Sequence, residues 1–282
     1  MSTQQQSQAY KSGIHPVWCP GCGDFGVLSA LYAALAQKMW DPKDIVLVSG
    51  IGCSSRLPGY VNTYGFHTVH GRTLPIALGV KLANPSLNVI AMGGDGDGFG
   101  IGGGHIPHMA RRNPQVSYIV MDNSIYGLTK GQVSPTSLFG QKTGSTPYGN
   151  LETPLNPIAL AVAYDISFVA RGYSGRPKQL TELMVRAFDH KGFAFIDVIS
   201  PCIVFNNTYK EIPPKIAEID PSHNVTDRAK AFELAIDTSK IHLGVFYESI
   251  RTTYEEAQQQ VIEASVSGSQ SRVVEQILAR YS

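Results

Sequence analysis

The sequence predicts an α/β domain, with a parallel sheet flanked by helices on both faces. Three observations carry that expectation. Short apolar runs of strand length alternate with longer runs of helical pattern, the order of βαβ units. The segments richest in glycine and reactive side chains fall just past those apolar runs. Open parallel sheets place their ligand sites there, outside the carboxyl ends of the strands. The length, 282 residues, suffices for one large core or two small ones.

The elements follow in order. Residues 25–38 have a helical pattern rich in Ala and Leu. Ile45–Ser49 is a short apolar strand, ended by Gly50-Ile-Gly-Cys53. A helix at Thr73–Ala83 precedes a strand at 88–92, which runs into a glycine-rich segment at 93–97. A helix at 101–111 leads to a strand at 116–121, ended by residues 122–127. A helix at 157–164, a strand at 167–170, a helix at 177–190 and a strand at 193–199 complete the alternation, and Ser200-Pro-Cys202 follows. Four candidate site segments thus gather on one sheet edge. There is no internal repeat. Residues 1–210 are read as the α/β domain. From Glu211 the chain is more polar and punctuated by proline, and it ends in a helix-like stretch at 273–281. Residues 211–282 are read as a polar C-terminal tail that packs on the domain or on a partner subunit.

Composition narrows the function classes. The net charge is +1, so neither nucleic acid nor an anionic membrane is an expected partner. Charged residues make up 16%, against roughly 25% in a typical soluble domain. That low fraction suggests a surface partly covered by other subunits. No stretch approaches the ~20 apolar residues of a spanning helix. Residues 1–12 are polar and rich in Gln and Ser, without the apolar centre of a signal peptide. A cytoplasmic location is expected.

The most specific chemistry lies in Gly94-Asp95-Gly96-Asp97 and the downstream Asn123. Gly94 and Gly96 permit a sharp turn and close approach to a ligand. Asp95 offers a carboxylate and Asn123 a neutral amide oxygen. Mg²⁺ favours such hard donors, few in number, together with substrate phosphates. The spacing resembles the thiamine diphosphate motif, Gly-Asp-Gly followed at a distance by Asn-Asn. Here Asp122 stands at the first Asn and Asn123 keeps the second. Two other readings compete. Residues 93–104 contain eight glycines, which a plain tight turn would explain. A Gly-x-Gly-x-x-Gly match at Gly98, Gly100 and Gly103 would suit a dinucleotide if it followed a strand and opened a helix.

The four cysteines are Cys19, Cys22, Cys53 and Cys202. In a cytosolic chain such a set is metal-binding or catalytic more often than a disulfide framework. Four thiolates can hold a tetrahedral zinc or a [4Fe-4S] cubane. Cys19-Pro-Gly-Cys22 could also be a redox pair, although no strand precedes it as in thioredoxin-like folds. Four unrelated buried thiols are the remaining reading.

At this point the chain resembles the β subunits of 2-oxoacid:ferredoxin oxidoreductases, of the 2-oxoglutarate or pyruvate synthase type. The matching segments are His15-Pro-Val-Trp-Cys-Pro-Gly-Cys-Gly-Asp-Phe25, Gly50-Ile-Gly-Cys-Ser-Ser-Arg56, His70-Gly-Arg-Thr-Leu-Pro75, Gly93-Gly-Asp-Gly-Asp97 and Asp122-Asn-Ser-Ile-Tyr-Gly-Leu-Thr-Lys-Gly-Gln132. Ser200-Pro-Cys202 and Gly244-Val-Phe-Tyr247 continue them. The likeness spans nearly the whole chain.

The resemblance implies a thiamine diphosphate-binding fold and one [4Fe-4S] cluster on Cys19, Cys22, Cys53 and Cys202. It implies Mg²⁺ on Asp95, Asn123 and the Ile125 carbonyl. Gly94, and backbone amides around Gly96, Asp97, Gly127, Leu128 and Thr129, are expected along the diphosphate. Gly52 and Cys53 are expected on the aminopyrimidine side. The implied reaction is oxidative decarboxylation of a 2-oxoacid, 2-oxoglutarate in preference to pyruvate. Coenzyme A takes the acyl group and ferredoxin the electrons, and the reverse reaction fixes CO₂. No side chain is assigned as a catalytic acid or base. His70 is expected on the cofactor phosphates, Lys130 near a substrate carboxylate, and His67 in a structural role. Asp24 is read as a cap of the first helix, Arg56 as a solvated or interface charge. A larger α subunit is the expected partner, in a dimer of αβ pairs. Two other classes stay in view: a non-oxidative thiamine decarboxylase or synthase, and a zinc-stabilised interaction subunit.

Overall fold

Each apolar run becomes a strand because its alternate residues serve two different cores. Ile45 and Leu47 enter one core, Val46 and Val48 the other. The structure, a computed structural model, describes residues 7–267 and residue 279. Its main elements are α1 (Asp24–Lys38), β1 (Ile45–Ser49), β2 (Tyr64–His67), α2 (Thr73–Ala83), β3 (Asn88–Gly94), α3 (Asp95–Phe99), α4 (Ile106–Arg112), β4 (Val116–Asp122), α5 (Pro157–Ala163) and β5 (Phe168–Tyr173). Then follow α6 (Pro177–Asp189), β6 (Ala194–Ile199), β7 (Ile216–Glu218), α7 (Arg228–Ile236), β8 (Ile241–Glu248) and α8 (Tyr254–Ser267). The sheet has eight strands in the order β2-β1-β3-β4-β6-β5-β8-β7. Strands β1 to β6 pair in parallel, β8 lies antiparallel to β5, and β7 pairs in parallel with β8.

One face is covered by α1 and α6. Helix α6 buries Leu180, Leu183, Met184, Ala187 and Phe188, the i, i+3, i+4, i+7, i+8 stripe of a half-buried helix. Against it lie Ile90, Met92, Ile119, Met121, Ile196 and Val198. The other face holds Val89, Ala91, Tyr118, Val120 and Phe195, packed beneath residues of α2, α4, α5 and α7. The entry to α5 is set locally. Asn156 accepts a hydrogen bond from the Ala159 amide at 3.1 Å, and Pro157 occupies the first turn, where its missing N–H costs nothing.

Several details differ from the sequence expectations. Helix α4 begins at Ile106 rather than near residue 101. The glycines before it form turns and a short 3₁₀ segment at Gly103–His105, because glycine is a poor helix former. The strand-to-helix turn is already made at Gly94 and Asp95, so Gly98 and Gly100 do not open a helix after a strand. A Cβ on Gly98 would lie 2.2 Å from the Tyr118 hydroxyl, so packing against Tyr118 explains that glycine. The dinucleotide reading therefore fails. Strand β2 was not anticipated: it is an edge strand with all four residues exposed, and so has no apolar pattern. Strands β7 and β8 were not anticipated either. Part of the segment after residue 211 thereby joins the main sheet. The helix expected at residues 273–281 lies, apart from residue 279, outside the described residues.

This topology creates a crevice. Strand β1 has β2 on one side and β3 on the other, so the chain leaves the carboxyl ends of β1 and β3 in opposite directions. Ligands in open α/β sheets bind at such a switch point.

Candidate functional site

The segments leaving β1, β3 and β4 close around a cavity of 390 Å³ at that crevice. Its lining includes Gly52, Cys53, His70, Gly94, Asp95, Gly96, Asp97, Asn123, Ile125, Gly127, Leu128 and Thr129. Every residue expected to touch the cofactor is thus brought together. Lys130 is not among them. It is exposed, has φ 76°, and lines a second cavity.

Asp95 opens α3 and is 1% exposed. Thr136 Oγ1 lies 2.8 Å from its Oδ2, and the Asn123 amide donates to its Oδ1 at a long 3.5 Å. Burial pushes the Asp95 carboxyl above the usual range, against the pull of the Ser134 and Thr136 hydroxyls. Asn123 Oδ1 accepts from the Ile125 amide at 3.0 Å, which folds the loop back on itself and sets the amide beside Asp95. Asp122, at the position where the thiamine motif carries Asn, accepts from the Ser124 amide at 2.9 Å. Its carboxyl is pushed well above the usual range by burial and then by the charge of Asp95.

Asp97 has a different task. Its Oδ1 accepts the amides of Ile51 at 2.9 Å and Gly71 at 2.8 Å, and contacts His70 Nδ1 at 3.1 Å. Its Oδ2 accepts the Thr73 hydroxyl at 3.0 Å. One buried carboxylate thus ties the loop after β1 and the segment before α2 to the end of β3. Gly50 is required beside it, since a Cβ there would lie 2.1 Å from the carboxylate oxygens. With Nδ1 held by Asp97, His70 keeps Nε2 for the cavity. His67 is structural, with Nδ1 2.9 Å from the Ser55 carbonyl and 3.1 Å from Ser49 Oγ.

The second cavity, 450 Å³, is lined by Cys19, Cys22, Cys53 and Cys202 together. The Cys22 amide donates to the Cys19 carbonyl, and the Gly23 amide to Pro201, so the Cys19–Cys22 turn is tied to the Cys202 segment. Trp18 anchors the first pair. Its Nε1 donates to the Cys53 carbonyl at 2.6 Å, and its ring meets Phe25 and Tyr60 edge-on. Burial pushes the Cys22 thiol far up, and the Cys53 thiol to about 11. Among the described residues, no group of three or more His, Cys, Asp and Glu side chains is gathered as a single metal ion requires. The four thiols ring a cavity instead. A Cβ on Gly127 would come within 3.7 Å of Cys202 Sγ and 3.8 Å of Cys53 Sγ, so the Gly127 backbone borders both thiols.

Asp24 is not a cap. It lies within the first turn of α1, where its Oδ1 accepts the Ser200 hydroxyl at 2.7 Å. Burial raises its carboxyl to about 6. Sequence reasoning also missed Tyr126, whose hydroxyl donates to Gly96 O at 3.1 Å, and the Ser134–Thr136–Ser137 turn beneath Asp95. No local motif marks that turn. Asn206 was missed too; its side chain donates to Asn123 O at 2.8 Å and joins the Cys202 loop to the Asn123 loop. Cys53, Asn123, Gly127 and Leu128 line both cavities and form their shared wall.

Comparison with known proteins bears on the family and the fold. Residues 50–198 match the family described as thiamine pyrophosphate enzyme, C-terminal TPP binding domain. Residues 202–263 match the family described as the C-terminal part of the pyruvate ferredoxin oxidoreductase beta subunit. The chain is 45% identical over 263 residues to 2-oxoacid:ferredoxin oxidoreductase 1, subunit beta, of Aeropyrum pernix, covering 88% of this chain and 83% of that protein. It is 40% identical over 233 residues to the 2-oxoglutarate synthase subunit KorB of Methanothermobacter thermautotrophicus, covering 82% of each. Among solved structures it is similar to the 2-oxoglutarate:ferredoxin oxidoreductase from Magnetococcus marinus with 2-oxoglutarate, coenzyme A and succinyl-CoA bound. There the TM-score is 0.93 at 40% identity, over 98% of this chain and 96% of that one.

Proposed function

Since the chain belongs to the β subunits of 2-oxoacid:ferredoxin oxidoreductases, we propose that it carries the thiamine diphosphate and the electron-accepting cluster for oxidative decarboxylation of 2-oxoglutarate. The observation that carries this reading is the shared wall. A cofactor cleft and a four-cysteine cavity stand back to back across Cys53, Asn123, Gly127 and Leu128. When bound, thiamine diphosphate supplies an electron sink for decarboxylation, and a [4Fe-4S] cluster on Cys19, Cys22, Cys53 and Cys202 supplies a one-electron acceptor.

The chain's own residues hold and insulate these groups. Asp95, the Asn123 side-chain oxygen and the Ile125 carbonyl provide the few hard donors that Mg²⁺ takes beside a diphosphate. His70, fixed by Asp97, presents Nε2 to the phosphates. Gly52 and Cys53 border the aminopyrimidine side, and the amides from Gly127 to Thr129 border the diphosphate. Lys130, on the cysteine side of the wall, offers its ammonium to the distal carboxylate of a dicarboxylic substrate. The larger α subunit, coenzyme A, ferredoxin and a dimer of αβ pairs complete the proposal, as does operation in reverse to fix CO₂. Support for 2-oxoglutarate comes from the KorB relatives and from the ligands named for the Magnetococcus marinus enzyme.

The test is an anaerobic assay of the purified complex with coenzyme A, a viologen dye and each of 2-oxoglutarate, pyruvate and a branched-chain 2-oxoacid. The expected result is the highest kcat/KM with 2-oxoglutarate. Faster turnover of pyruvate would overturn the substrate assignment. Turnover without dye reduction would mark a non-oxidative enzyme.

A further inference from the structure

We infer that Thr136 is a positioning residue of the cation site: its hydroxyl orients the Asp95 carboxylate toward the metal. The inference rests on Asp95 being the Mg²⁺ ligand, as proposed above, and adds a residue that the motif does not contain. Thr136 is 6% exposed, and its Oγ1 lies 2.8 Å from Asp95 Oδ2, 2.8 Å from Asp122 Oδ1 and 3.2 Å from Ser124 Oγ. Its contact with the Asp95 carboxylate is far shorter than that of the Asn123 amide, which is 3.5 Å long, and its single proton is shared between that carboxylate and the one of Asp122. The hydroxyl at Oδ2 and the Asn123 amide at Oδ1 together fix the plane of the carboxylate about its Cβ–Cγ bond, so that its remaining lone pairs are aimed in one direction.

The turn that carries Thr136 is braced for this task. The Ser137 amide donates to Ser134 O at 3.0 Å, and the Ser134 amide to Ser137 Oγ at 2.8 Å. Ser137 Oγ in turn donates to Ser124 O at 2.6 Å, within the Asn123 loop. The Leu155 amide closes the segment by donating to Pro135 O at 2.8 Å. Thr136 is therefore fixed to both halves of the metal site, the end of β3 and the loop after β4. Residues that orient metal ligands in this way typically change metal affinity by about 10–100-fold when removed. The hydroxyl, rather than the bulk, is the active feature, so valine and serine separate the two.

The experiment compares Thr136→Val, Thr136→Ala and Thr136→Ser with the unaltered αβ complex. Mg²⁺ and thiamine diphosphate are titrated by calorimetry, and melting temperature and iron content serve as checks of folding. The expected result is an apparent Mg²⁺ Kd raised roughly 10–100-fold in Thr136→Val and Thr136→Ala. Thr136→Ser should stay within about 3-fold, and saturating Mg²⁺ should restore kcat in the valine variant. Two results overturn the inference. One is unaltered Mg²⁺ affinity in Thr136→Val while Asp95→Ala loses it, which leaves the functional reading intact. The other is equal weakening by serine and valine, which would make side-chain shape the cause. If Thr136→Val does not fold, Thr136→Ala against Thr136→Ser decides on the same criterion. Unaltered affinity in Asp95→Ala would instead remove the cation site itself.

Discussion

At the scale of single residues, Cys202 gives the sharpest test of the cluster. It is the thiol most distant in sequence from the Cys19–Cys22 turn, yet it lines the same cavity and, like Cys53, borders Gly127. A cubane takes one thiolate on each of its four irons. Replacing Cys202 with Ser should lower iron below the about four atoms per chain of an intact cluster. Viologen reduction should fall by at least about tenfold, the lower end of what removing a supporting contact alone would cost. Iron analysis and the visible absorption of the brown cluster check it, and full iron with full activity would remove Cys202 from the ligand set. The residues of this site that were legible in the sequence are those whose chemistry is local. Gly94-Asp95-Gly96 and Cys19-Pro-Gly-Cys22 announce themselves by spacing. Thr136 and Asn206 do not, because they reach Asp95 and the Asn123 loop only through tertiary contacts. Asp97 was expected for its amide, but its carboxylate proved to be the knot that places His70.

At the scale of elements, the join between β5 and β6 is the place to measure how the sheet is held. Arg171 of β5 pairs in register with Asp197 of β6, Nε to Oδ2 at 2.9 Å. Asp197 is 1% exposed and its Oδ1 has no hydrogen-bond partner. Burial pushes its carboxyl up, while the Arg171 guanidinium pulls it down. Arg171→Leu should destabilise the fold by about 3 kcal/mol, because it leaves a buried charge uncompensated. The pH dependence has a definite sign. A carboxyl whose folded pKa is raised costs stability as pH rises from the unfolded value through the folded one. Losing Arg171 raises it further, so the variant's deficit should be larger at pH 8 than at pH 5. Denaturant unfolding at both pH values measures this, and a deficit independent of pH would show that lost packing over Phe246, not charge, dominates. This pair was invisible in the sequence because register is a property of two strands. The same reason hid β8, where Gly244 at φ 130° interrupts the apolar run. The central strands were legible because both their faces are buried, which makes them continuous apolar runs.

At the scale of the whole molecule, the proposed function requires a second subunit to complete the cleft. Thiamine enzymes join two α/β domains, one holding the diphosphate and the other supplying a Glu to the aminopyrimidine. Here one Gly-Asp-Gly motif stands at one switch point. Among the described residues lining the cleft there is no Glu. The surface tells the same story. Charged residues are only 16% of the chain, and Leu138, Phe139, Tyr148 and Leu151, all on the segment anchored by Thr136, are 65% to 96% exposed. Clustered exposed apolar side chains mark an interaction surface more often than free solvent. Low charge was legible from composition; which apolar residues remain uncovered was not, because that depends on the path of the loop. The isolated chain should therefore bind iron, tend to aggregate, and show no 2-oxoacid-dependent reduction of a viologen dye. Adding the larger α subunit should restore turnover, and the active species should have the mass of two αβ pairs. Size-exclusion chromatography with light scattering, run beside the dye assay, checks both statements. Coenzyme A-dependent turnover by this chain alone, with mass spectrometry showing no second polypeptide, would mean that the Glu and the missing half of the site come from a second copy of the same chain.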